Sequence, residues 1–148
     1  MRKAFGLVQA LIVIVLISGI MAIAMKYAMI SVKQTSDLYA RESAELFMDS
    51  AVELTLLAIS GKDRTTGWLR DVNITSQDQR YSADINIVGY YLLNTSVEYN
   101  ATNPLHIPIQ NEESHGMVML EVVVDTNASH PKNQEKHIRL TRRTLQRP

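Results

Sequence analysis

Four histidines are the side chains best suited to metal binding or proton transfer in this 148-residue chain: His106, His115, His130 and His137. Zinc sites draw on ligands a few residues apart on one element, joined by further Cys, His or carboxylate donors. None of these histidines pairs at that spacing, and the chain has no cysteine. The lack of cysteine excludes a thiolate metal site, a thiol nucleophile and a disulfide framework. There is no glycine-rich phosphate loop and no Gly-x-Ser-x-Gly elbow. The adjacent carboxylates Glu112 and Glu113 fall in a turn-rich stretch and read as solvated. The reading is therefore not an enzyme, with no catalytic residue, no metal and no cofactor.

Two other groups of residues have a chemical context. Asn73, Asn94, Asn100 and Asn127 each open an Asn-x-Ser/Thr triplet. Three of them follow an acidic residue two places earlier, Asp71, Glu98 and Asp125, a longer pattern that resembles the acceptor sequence of bacterial N-glycosylation. Asn73, Asn100 and Asn127 are therefore candidate modification sites. The alternative is that Asn, Asp and Thr gather at turns and strand ends for conformational reasons. The C-terminal segment IRLTRRTLQRP holds Arg139, Arg142, Arg143 and Arg147. It reads as the solvated face of an edge strand, where positive charge discourages stray pairing. In the sharper reading Arg139, Arg142 and Arg143 form a docking patch for an acidic partner. Fifteen Lys and Arg balance fifteen Asp and Glu, so no global basic field draws the chain onto nucleic acid.

These residues must be positioned by two kinds of element. From Ala4 to Met25 the chain carries no charge, and about 20 apolar residues span a bilayer as a helix. Arg2 and Lys3 in front favour an N-terminus that stays in the cytoplasm. Gln9 lies inside the apolar run, where an amide needs a partner. From Ser36 the pattern turns amphipathic: Ala40, Ala44, Phe47, Ala51, Leu54 and Ala58 recur every three or four residues, widened by Met48, Val52, Leu56 and Ile59. No proline interrupts residues 5–60, and Gly61 is a stop signal. The expectation is one continuous helix, or two helices if the Gly19 or Ile30–Val32 region breaks it. The small alanines let a sheet approach closely.

After Gly61 the period becomes two. Val72/Ile74, Ala83/Ile85/Ile87, Val97/Tyr99, Val118/Leu120/Val122/Val124 and Ile138/Leu140 read as short strands. The segments between them carry turn residues: Ser76–Asp78, Asn103–Pro104, Pro108–Gly116 and Asn127–Asn133. Successive strands without an intervening helix imply an antiparallel sheet. The fold class is thus α+β, a long N-terminal helix packed on a small antiparallel sheet. Trp68, just after the helix, is either a core plug or an exposed anchor.

Read in order from Ala4, A-F-G-L-V-Q-A-L-I-V-I-V-L-I resembles the start of the type IV pilins and type II secretion pseudopilins. In that family a short basic leader and a small residue precede Phe and a long aliphatic run. Leu7 and Val8 match the aliphatic pair, and Ile12, Val13 and Ile14 match the run that follows. Two positions depart from the pattern: Ala4 stands where the family has glycine, and Gln9 where it has glutamate. A cut after Gly6 would restore the glycine but place Leu11 at the fifth position and lose the rest of the match. The resemblance is confined to this N-terminal stretch.

It implies a leader of residues 1–4, cut between Ala4 and Phe5 by a prepilin peptidase, with methylation of the new amine. Residues 5–26 would then be the membrane-spanning and later filament-core half of the helix, 27–61 its amphipathic half, and 62–148 an exported β domain. The implied partners are other pilin or pseudopilin subunits, the peptidase and an inner-membrane assembly platform. The implied location is the bacterial inner membrane, single pass, with the C-terminal domain in the periplasm or at the cell surface. The family's glutamate meets the N-terminal amine of a neighbouring subunit. Gln9 keeps the shape without the charge, which suits a minor subunit at a filament tip better than a major one. Two other readings stand beside this: a plain uncleaved anchor bearing a binding domain, and a secretory signal cut after Ala24.

Overall fold

The structure is a computed structural model. It describes residues 2–62, 67–127, 130 and 137–148, with side chains from Gly6 onward in the first helix. The chain divides into two units, Met1–Ala40 and Arg41–Pro148.

A single helix, α1 (Arg2–Gly61), runs through both. No proline interrupts it, and it ends at Gly61, where the Lys62 N–H donates to the Ile59 carbonyl at 3.3 Å. Five strands follow: β1 (Asp71–Thr75), β2 (Tyr81–Leu93), β3 (His106–Ile109), β4 (Met117–Thr126) and β5 (Arg139–Gln146). The architecture is α+β, a long N-terminal helix with its last turns packed on a small, mainly antiparallel sheet.

Strand order is β1-β2-β4-β5, with β3 also on β2. Strands β1 and β3 lie end to end along one edge of β2: β1 pairs with Ser82–Asn86 and β3 with Tyr90–Leu93. The β2–β3 pairing is parallel, an exception to the antiparallel expectation. The Asn94–Leu105 connection supplies the length of roughly a dozen residues that a parallel return needs.

The core of the second unit lies between the helix and one sheet face. Ala44, Met48, Ala51, Val52 and Ile59 meet Ala83, Ile85, Ile87, Tyr90, Leu92, Val118, Leu120, Val122 and Val124. The period-two reading of β2 holds through Ile87 and then changes phase, because Val88 is an extra residue between the Ile87–Leu120 and Gly89–Met119 pairs. The bulge turns Tyr90 and Leu92 back to the core.

Three expectations are corrected. Leu54 and Ala58 are exposed, and Thr55 is fully buried in their place. The buried stripe is rotated by about one residue because a hydroxyl can be buried when its own helix satisfies it: Thr55 Oγ1 donates to the Ala51 carbonyl at 2.8 Å. Val97 and Tyr99 form no strand. They sit in a series of turns, and Val97 is fully exposed. The fifth strand is β3 instead, which contains Pro108 within a stretch read as a turn. Proline is tolerated there because β3 is an edge strand.

Candidate functional site

In the first unit the helix is apolar on all sides from Leu7 to Met25. Leu7, Leu11, Ile12, Ile14, Ile17 and Ile20 are each more than half exposed, with Leu7 at 69 %. A helix that is hydrophobic all round belongs in a core or a membrane, and this one is long and apolar enough to cross a membrane. Its polar groups are handled unequally. Ser18 Oγ donates to the Ile14 carbonyl at 2.7 Å, so that hydroxyl is satisfied within the helix. Gln9 is exposed, and its side-chain amide makes no hydrogen bond among the described residues. Ala4 and Phe5 lie in the helix, and their side chains are outside the described set.

In the second unit the C-terminal arginines are tied into the fold. Arg142 lies on the core side of β5, opposite Val122, and its guanidinium reaches the Asp49 carboxylate on the helix. Arg143, on the other face, pairs with Glu121 at 3.1 Å. Arg147 Nη2 donates to the carbonyls of Glu113 and His115 at 3.0 and 3.1 Å. Arg139 stands opposite Asp125 in the register and makes no ion pair among the described residues. Asp125 instead lies 3.3 Å from His137 Nδ1. Of the arginines proposed to dock a partner, two are thus engaged within the chain.

The histidines are dispersed. No group of three or more His, Cys, Asp or Glu able to hold a metal occurs among the described residues. His106 is buried, with its ring edge-on to Trp68 at 4.5 Å between centroids. Its Nδ1 accepts the Asn100 backbone N–H at 3.0 Å. Burial lowers its pKa from the ordinary 6.5 and keeps the ring neutral. Trp68 also sits edge-on to Tyr90 at 4.5 Å, and the Tyr90 hydroxyl donates to the Leu69 carbonyl at 2.9 Å. Trp68 therefore packs on the core as a plug. His115 Nδ1 accepts the Leu93 N–H at 3.1 Å, which holds the end of β2. These roles for His106 and His115 had no local sequence signal, since each depends on a residue from a distant turn or strand.

The candidate acceptor asparagines differ in environment. Asn73 lies in β1 and donates its side-chain amide to Asp84 on β2. Asn127 Nδ2 donates to the Gln79 carbonyl at 3.1 Å. Asn94 and Asn100 lie in turns outside the ladders and are exposed.

No family model matches the chain, and neither the curated proteins nor the solved structures contain a match to it.

Proposed function

We propose that the chain is a non-catalytic minor pseudopilin or pilin-like subunit of a type II secretion or type IV pilus assembly, processed by a prepilin peptidase. The observation that carries this reading is the residue order Ala4-Phe5-Gly6-Leu7-Val8-Gln9 at the head of one uninterrupted helix. The helix is uncovered and apolar from Leu7 to Met25 and buried against a sheet in its last turns. That division supports a subunit whose helix works first in lipid and then against other helices, while the sheet offers a surface to partners. The implied partners are other subunits, the peptidase and the inner-membrane platform, with the β domain on the periplasmic or outer side.

Gln9 favours a second reading. Without a carboxylate at that position the new N-terminal amine lacks its countercharge, and a buried unpaired charge is costly. A single-pass anchored exported binding domain that never polymerises would not need one.

The test is the N-terminus of the protein purified from membranes, by intact mass and terminal sequencing. The expected start is Phe5 with a methylated amine. A start at Met1 would leave a plain anchored domain, and a start at Met25 would leave a secreted one.

A further inference from the structure

The fold treats the four Asn-x-Ser/Thr triplets differently. Asn73 is locked in the β1–β2 ladder opposite Asp84, and its amide nitrogen is already donating. Asn127 donates from its side chain to Gln79 and from its backbone to the Arg80 carbonyl at 2.9 Å. Asn94 has Leu92, not an acid, two places before it.

Asn100 alone combines all the features an acceptor needs. It lies in the Asn94–Leu105 connection, outside any ladder, and is exposed. Glu98 stands two residues before it and is half-buried. Its Oδ1 accepts two hydrogen bonds from Thr102, the N–H at 3.0 Å and the hydroxyl at 2.7 Å. Its Nδ2 has no hydrogen-bond partner among the described residues. The Asn100 backbone N–H is anchored on the buried His106 ring, so the turn is presented from a fixed point.

We propose that Asn100 is an N-glycosylation acceptor competent in the folded protein, taking an oligosaccharide from a polyisoprenyl-pyrophosphate donor. In the transfer, Nδ2 gives one proton to a base on the transferase and forms a bond to C1 of the first sugar. The bond from C1 to the pyrophosphate oxygen breaks, and the lipid pyrophosphate leaves with that electron pair. Nothing is oxidised or reduced. As Nδ2 loses its proton, negative charge gathers on Oδ1, where the two Thr102 donors stabilise it. Asn73 and Asn127 must first break native hydrogen bonds to reach a transferase, so their modification requires local opening. In the cell the modification rests on the exported placement of the β domain proposed above, but the acceptor chemistry does not.

The test therefore uses the full-length protein in detergent. It is incubated with a purified bacterial oligosaccharyltransferase that requires an acidic residue two places before the asparagine, and with a polyprenyl-pyrophosphate-linked oligosaccharide. Intact mass and peptide mapping are the readouts. The expected result is one glycan increment, on Asn100, lost in Asn100→Gln and Thr102→Ala and kept in Thr102→Ser. Short peptides carrying the Asn73 and Asn127 triplets are modified where the folded chain is not. Circular dichroism checks that each variant is folded. No increment at Asn100, or modification of Asn73 in the folded chain at the same rate, overturns the proposal. Because the reaction is run outside the cell, its failure leaves the N-terminal processing test untouched, and the reverse also holds.

Discussion

His106 sits at 8 % exposure between Trp68 and the Asn100 turn, and its depressed pKa makes stability depend on pH. The unfolded chain takes up a proton at about the ordinary histidine value of 6.5, whereas the native ring resists it. Below that value the unfolded state binds more protons, so stability is full above pH 6.5 and falls as pH drops through the native pKa. An imidazolium has no acceptor nitrogen, so protonation also ends the bond from Asn100. Urea unfolding on the two sides of pH 6.5 should show this loss, and His106→Gln should flatten the slope between them. Gly89 is the second sensitive position. A Cβ there would stand 2.5 Å from Ile107 Cδ1, 3.0 Å from Cγ1 and 3.4 Å from the Leu105 carbonyl. We expect Gly89→Ala to cost about 1–3 kcal/mol, as other overpacking changes do. Ile107→Val removes the nearest carbon, so the double variant should recover part of the loss in a denaturation cycle.

Among the elements, the outcome of helix α1 turns on which face is small. Ala44 and Ala51 are fully buried against the sheet, while Leu46 and Leu57 are 69 % and 68 % exposed. Ala51→Leu should therefore destabilise by about 1–3 kcal/mol, and Leu57→Ala should stay within about 0.5 kcal/mol, both read from denaturation midpoints. The helix, its stop at Gly61 and the strands β1, β2, β4 and β5 were legible because their periodicities of 3.6 and 2 are local. The rotation of the buried stripe was not, since Leu54 and Thr55 are ranked wrongly by hydrophobicity alone. Strand β3 was hidden by Pro108, and Val97 and Tyr99 imitated an alternation that the turns at Asn94–Asn100 override. Of the candidate site, the triplet at Asn100 could be read directly. The anchoring of that turn on His106 joins residues only six apart but depends on the ring being buried against Trp68, and the engagement of Arg142 with Asp49 joins residues 93 apart, so neither left a local trace.

For the whole molecule, the uncovered apolar run from Leu7 to Met25 is the dominant surface feature of the first unit. Leu16→Arg should cost about 2.5–3.5 kcal/mol of membrane insertion, the amount a basic residue costs near a helix centre. Alkaline carbonate should then extract the variant from membranes that retain the parent protein. The contact between Asp49 and Arg142 carries a different consequence, because its partners are 93 residues apart in the sequence. The helical stripe from Ala44 to Ile59 stays uncovered until β2 and β4 have been made, and β5, which pairs with β4, follows both in the chain. The contacts that join the helix to β2, β4 and β5 are therefore long-range, and loop closure must precede them. A nascent chain exposes the apolar stripe of the helix until those strands have emerged. The helix therefore waits for its sheet, and the second unit cannot close until strands made well after the stripe reach back to cover it.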